Sequence, residues 1–290
     1  MTKSFKVAGH SFSFDIPDAH PLWEKMGQYA PFEVPEAARP LFTIRVVESL
    51  EPGAMKQVYG GNEEPGQPVV LLYEGESGWM MEMAPVTGRP LSGRLLSDKG
   101  FSHADLLVLR PEEGLFALNN AAMLMFAFAS APFHTLEMHA SVIANGGKAF
   151  LFLAKSGTGK STHSSQWLKY IPGSRLLNDD NPVVRILEDG TVEAFGSPWS
   201  GKTPCSRNEH YPVGAFVKIR RCPENRISKL DVFHSYALLY SSSSGFKTDP
   251  GMADMLHSTF EKISLSSPCY VLDCRPDEEA ARVCSKEVLK

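Results

Sequence analysis

The chain has 290 residues, 43% of them hydrophobic and 21% charged, with a net charge of −4; this supports one large or two small cored domains and excludes a disordered or fibrous chain. The charges are interspersed with no basic run, which argues against a nucleic-acid backbone or an anionic membrane surface as partner. Five cysteines without a CxxC pair, and a start ("MTKSFKVAGHSFSF") without an apolar signal core, point to a reducing cytoplasm.

In chain order, β-type runs at 4–16, 41–47, 69–73 and 79–83 alternate with turns such as "EEPGQP" and predict a β-rich module over 1–112. No ionisable cluster stands out there. The stretch 114–136, "GLFALNNAAMLMFAFASAPFHTL", carries no acidic or basic residue and is long enough to cross a membrane. Asn119, Asn120, Ser130, Pro132 and His134 interrupt it, so it reads as a buried helix leading into a strand. From there the pattern is α/β and predicts a nucleotide-binding domain over 113–290. Its expected elements are a helix at 115–131, strands at 138–143 and 149–154, a helix at 160–170, strands at 175–178, 183–187 and 191–196, and a helix at 251–262. The strand "CYVLDC" and a last helix introduced by Pro276 close the chain.

The loop Ala154 to Ser161, "AKSGTGKS", follows the apolar run "AFLFLA" and precedes the helix bearing Trp167 and Leu168; strand, glycine turn and helix are the context a phosphate-binding loop needs. Gly157 and Gly159 let backbone N–H groups of Ser156 to Thr162 converge on phosphate oxygens, and the helix N-terminus adds partial positive charge. Lys160 reaches the terminal phosphates and the Ser161 hydroxyl reaches Mg²⁺. Ala replaces the usual first glycine at Ala154, which is acceptable wherever φ there is negative.

Two hairpins aim side chains at this loop. "ANGGK" between apolar runs signals a tight turn, and centring it on Gly146 sets His139 opposite Leu153, at the loop's mouth; a structural histidine is the plain alternative. An Asp189-Gly190 turn sets Asp180 opposite Trp199 and Asp179 opposite Ser200, which returns "SPWSGK" with Lys202 to the acidic pair. Lys202 is expected to contact the transferred phosphoryl group, or else to be a solvated loop residue. Asp179 and Asp180 end a strand reached from the glycine loop through one helix. Carboxylates there can hold Mg²⁺ and accept a hydroxyl proton, although Asp-Asp-Asn-Pro is by composition also a simple turn.

"MHASVI", "SGTGKS", "LLNDD" and "SPCYVLDCRPDEEAARVC" together resemble the HPr kinase/phosphorylase catalytic domain and, more distantly, the nucleotide site of phosphoenolpyruvate carboxykinase. The resemblance spans Met138 to Leu289, with His139 preceding Lys160 by 21 residues as in that family. It implies a P-loop α/β domain of the carboxykinase type with a mixed sheet, using ATP and Mg²⁺. It further implies that His139 assists catalysis, Lys160 and Ser161 engage phosphate and metal, Asp179 is the base and Asp180 a metal ligand. The family's "EIRGLG" signature is absent, and "GSPWSGK" stands in its region, so neither HPr as substrate nor phosphorolysis carries over. The expected activity is phosphorylation of a hydroxyl on a protein serine, a peptide or a small molecule. Two alternatives stay open: a nucleotide-binding regulator without transfer, and a small-molecule kinase with its acceptor pocket in the amino-terminal module. The sequence leaves open the acceptor, the oligomeric state and whether ATP is preferred to GTP or pyrophosphate.

Overall fold

The computed structural model describes residues 1–60, 68–201 and 203–290. The chain divides into two compact units, Met1–Ala129 and Ser130–Lys290.

The first unit contains strands β1 (Thr2–Val7), β2 (His10–Asp15), β3 (Glu33–Val34), β4 (Thr43–Val47), β5 (Met55–Tyr59), β6 (Val69–Gly75), β7 (Gly78–Ala84), β8 (Gly93–Asp98) and β9 (His103–Val108), with helices α1 (Leu22–Lys25) and α2 (Gly114–Ser130). Among the described residues the strands form one mixed sheet in the order β3-β1-β2-β4-β9-β8-β7-β6-β5. The expected run 4–16 is in fact a hairpin. Ala8 (φ 50°) and Gly9 (φ 82°) make a two-residue left-handed turn between Val7 and His10, the kind that matches strand twist. The core is aromatic: Phe5, Phe12, Phe14, Tyr29, Phe32, Phe42 and Phe126 are all buried.

Helix α2 corrects the expected boundary at 112/113, because it packs within the first unit. Its Asn119 accepts hydrogen bonds from Tyr29 (2.8 Å) and Gln28 (3.1 Å), and a Cβ on Gly93 would stand 2.8 Å from the Ala117 methyl. Within Pro111–Phe133, 67% of the most apolar window is buried, so the apolar surface of this helix serves the protein's own core.

The second unit is α/β with a mixed sheet. It contains β10 (Thr135–Glu137), β11 (Ala140–Asn145), β12 (Lys148–Leu153), α3 (Lys160–Tyr170), β13 (Arg175–Asp180), β14 (Val183–Ile186), β15 (Val192–Phe195) and β16 (His210–Arg221). It ends with β17 (Arg226–Lys229), α4 (Val232–Ser242), α5 (Pro250–Ser266), β18 (Cys269–Cys274) and α6 (Glu278–Val288). β16, β17 and α4 are elements the sequence reading did not anticipate.

Strand β12 lies between β11, antiparallel to it, and β16, parallel to it, while β13 pairs with the far side of β11 and β18 with β16. Leu238 and Leu239 of α4 and Leu256, Phe260 and Ile263 of α5 pack with Leu151, Leu153 and Phe216. Trp167 of α3 and Ala280, Ala281 and Cys284 of α6 pack with Phe150, Phe152 and Val217. Helices thus cover both faces and leave the carboxyl ends of β12, β13, β16 and β18 free to carry a site.

Both predicted registers shift by one residue. The turn between β11 and β12 is centred between Gly146 (φ 56°) and Gly147 (φ 77°), so Ala140, not His139, pairs with Leu153. His139 sits just before the strand, its N–H bonded to the Ser242 carbonyl at 2.7 Å. In the second case the turn from Leu187 to Thr191 is longer than the two-residue turn assumed, so Val183 pairs with Phe195; beyond that pair the Gly196–Ser200 side takes five positions against three, so Asp180, not Asp179, bridges Ser200.

Candidate functional site

The glycine loop leaves β12 at Ala154, whose φ is not positive, so alanine costs nothing there. Gly157 (φ 73°) and Gly159 (φ 126°) occupy left-handed backbone where side chains are strained, and a Cβ on Gly157 would meet no atom within 4 Å. These glycines answer a dihedral demand and keep the concavity open. Gly159 caps α3 without any side-chain hydrogen bond, which leaves the first N–H groups of the helix available to an anion. Arg221, at the end of β16, holds the loop from behind: Nη2 donates to the Gly157 carbonyl (2.5 Å) and Nε to the Thr158 carbonyl (3.0 Å). Sequence reasoning missed Arg221, for which the only signal was a pair of arginines ending an apolar run.

Lys160 is the second element of the site. Only 8% exposed, its Nζ donates to His139 Nε2 (2.7 Å) and to the Ala154 carbonyl (3.2 Å). Since an ammonium can only donate, Nε2 is the acceptor and the ring proton lies on Nδ1, which faces Asp180 Oδ1 at 3.2 Å. Burial pulls the Lys160 ammonium below its usual range, and the charges of Asp180 and Asp179 work against that fall. A cation held in a dry place with no ion pair of its own among the described residues is poised to take a doubly or triply charged ligand.

Asp179 and Asp180 end β13, and Ala140 pairs with both Leu153 and Asp180, so the acidic pair stands two strands from the start of the glycine loop. Asn178, also unforeseen, fixes this corner. Its amide donates to Ser197 Oγ (3.1 Å) and its carbonyl oxygen accepts the Asp180 N–H (3.1 Å), while Ser197 Oγ donates to the Asn181 carbonyl (2.6 Å). The Gly201 N–H donates to the Asp179 carbonyl at 2.8 Å, and Trp199 is buried. The segment Gly196 to Gly201 therefore returns to the acidic pair. Lys202 lies outside the described residues.

Beside the loop, between α3 and the ends of β16 and β18, opens a cleft of about 700 Å³ lined by Gly157, Thr158, Gly159, Thr162, His163 and Ile219 among others. His163 is neutral, its pKa lowered to about 4 by burial, and its Nε2 accepts the Trp167 indole N–H at 3.0 Å. Ser156 borders the other side of the loop, and Ser161 opens α3 as an exposed residue. Among the described residues no three His, Cys, Asp or Glu side chains gather into a metal cage.

Glu137, two residues before His139, is 2% exposed, and its Oε2 has no hydrogen-bond partner among the described residues. Burial, then the charge of Asp180, pushes its carboxyl well above the usual range. No family model matches this chain, and a search of curated proteins finds no match.

Proposed function

We propose that this chain is an ATP- and Mg²⁺-dependent phosphotransferase of the HPr kinase and carboxykinase type, transferring the γ-phosphoryl group to a hydroxyl acceptor. The observation that carries this reading is the contact series from buried Lys160 through His139 to Asp180 beside a glycine loop that opens a helix without a side-chain cap. A phosphoryl-transfer site needs little covalent chemistry from the protein; it needs a phosphate cradle, fixed positive charge and a proton acceptor.

In this reading the backbone from Ser156 to Thr162 cradles the β- and γ-phosphates and Lys160 neutralises them. The nucleoside lies in the cleft of about 700 Å³, within the size range of small-molecule sites. Mg²⁺, held by Ser161 and Asp180, supplies charge neutralisation at the phosphates. His139 keeps Lys160 and Asp180 in place from between them. Asp179, buried next to Asp180, accepts the acceptor's proton. The oxygen it leaves forms the new P–O bond as the bond from γ-phosphorus to the β–γ bridging oxygen breaks, and ADP departs with the electron pair.

Titration calorimetry with Mg·ATP tests the reading. Lys160→Ala removes a contact to a charged group worth roughly 1.5–3 kcal/mol, so affinity should fall about tenfold or more. Equal affinity in the two proteins removes the basis of the proposal.

A further inference from the structure

A second cleft, of about 440 Å³, opens on the opposite side of the glycine loop, between Ala154–Thr158 and the end of β16 at Lys218–Arg221. Four of its lining residues, Lys155, Lys218, Arg220 and Arg221, are cations and none is acidic, in a chain whose net charge is −4. Lys218 and Arg220 alternate along β16 with Val217 and Ile219, which are buried in the α3–α6 core, so both cations point to the other face of the sheet. Arg220 is paired through Nε and Nη2 with the Asp273 carboxylate, so the charge not held in an ion pair among the described residues lies on Lys155, Lys218 and Arg221. Lys155 and Lys218 make no ion pair among the described residues, and Arg221 spends its donors on two neutral carbonyls. The same Asp273 carboxylate is also met by Arg226 Nη2 at 3.5 Å.

The strand registers align this charge with the reacting corner. Asp180 pairs with Ala140, Ala140 with Leu153 and Leu153 with Lys218, so one line across four strands runs from the acidic pair, past the glycine loop, to the basic cleft. Three strand spacings make that line roughly 14 Å long, which an extended peptide covers in about four residues. Beyond Lys218, Arg220 of β16 and Arg226 of β17 flank Asp273 of β18, whose single carboxylate offsets part of their combined charge. A track of this length suits an extended segment better than a single small anion.

We propose that this cleft docks the phosphate acceptor, and that the acceptor is an acidic peptide segment whose carboxylates lie about four residues from the hydroxyl that is phosphorylated. The inference rests on the phosphotransferase reading above and adds the substrate class. Opposite charge along the track steers the segment and fixes its register, so it acts on acceptor binding rather than on chemistry.

The test uses the full chain, γ-labelled ATP and two synthetic peptides, each with a single serine, one carrying glutamates about four residues away and the other lysines at the same places. The glutamate peptide should be the better substrate, with a KM that rises with salt. Lys218→Glu should lower kcat/KM for that peptide about tenfold or more through KM, and should improve use of the lysine peptide. Lys218→Arg should keep the original preference, and Mg·ATP affinity by calorimetry should stay within about twofold in both variants. Equal use of the two peptides, or no label in either by a chain that binds Mg·ATP, overturns the acidic-acceptor proposal and leaves nucleotide binding standing. Absence of Mg·ATP binding in the unaltered chain overturns the reading beneath it as well.

Discussion

Lys160, His139 and Asp180 form a series in which each side chain limits the next: the buried ammonium requires an acceptor, the imidazole must turn its bare nitrogen to it, and the ring N–H then faces the carboxylate. If Asp179 is the base, Asp179→Asn should leave Mg·ATP affinity nearly intact and lower transfer by roughly 10²–10⁴, the range for a lost general base. Asp180→Asn should instead raise the Mg²⁺ concentration needed for half-maximal turnover. Normal transfer by Asp179→Asn in a labelled-ATP assay would reverse the assignment. Two other buried groups answer pH with opposite sign. His163, with a folded pKa of about 4 against an ordinary 6.5, binds its proton later in the folded than in the unfolded chain, so stability is lost as pH falls through that interval. Glu137, raised above its ordinary 4.5, keeps a proton that the unfolded chain gives up, so its cost appears as pH rises past that value. Glu137→Gln should therefore raise the urea midpoint at neutral pH and leave it nearly unchanged near pH 4. An unchanged midpoint at neutral pH would mean that Glu137 is ionised and paired.

Among the elements, the two hairpins do most to position the site. Gly146 and Gly147 set the β11–β12 register, and through it the level of Ala140, which pairs on one side with the strand feeding the glycine loop and on the other with the strand bearing the acids. The segment after β15 depends on a close approach: a Cβ on Gly196 would stand 1.9 Å from the Arg207 carbonyl oxygen. Gly196→Ala must displace that backbone and, with it, the Ser197 hydroxyl that supports Asn178. A stability loss of about 1–3 kcal/mol is expected in denaturant unfolding, as for other forced overpacking. A midpoint equal to the unaltered chain's would show that the segment has room to shift.

At the scale of the whole chain, every residue placed in the candidate site belongs to Ser130–Lys290, which has its own cores on both faces of its sheet. Expressed alone, that unit should bind Mg·ATP within about threefold of the full chain's affinity, a difference of less than about 1 kcal/mol. A tenfold or larger loss in calorimetry would assign the first unit a part in the site.

Local signals were sufficient where neighbours in sequence decide the structure. The helix 160–170 and the strand "CYVLDC" appear where apolar spacing places them and the last helix where Pro276 does, and the glycine loop follows from two residues free to take positive φ next to a buried strand. The closeness of His139 and the acidic pair to Lys160 was also foreseen, although both registers were off by one. Strand pairing turns on whether a turn centres on a residue or between two, and composition leaves that open. Other features depended on distant segments meeting. Helix α2 belongs to the first unit because Phe12 of β2 and Phe101 set their rings against its Phe126 and Phe128 and Tyr29 bonds its Asn119. Arg221 reaches the glycine loop because β16 pairs in parallel with β12, and the basic cleft exists because that pairing sets Lys218 and Arg220 beside Lys155. Such contacts join residues some 60 positions apart, and their energy comes from burial shared among strands that no local window contains.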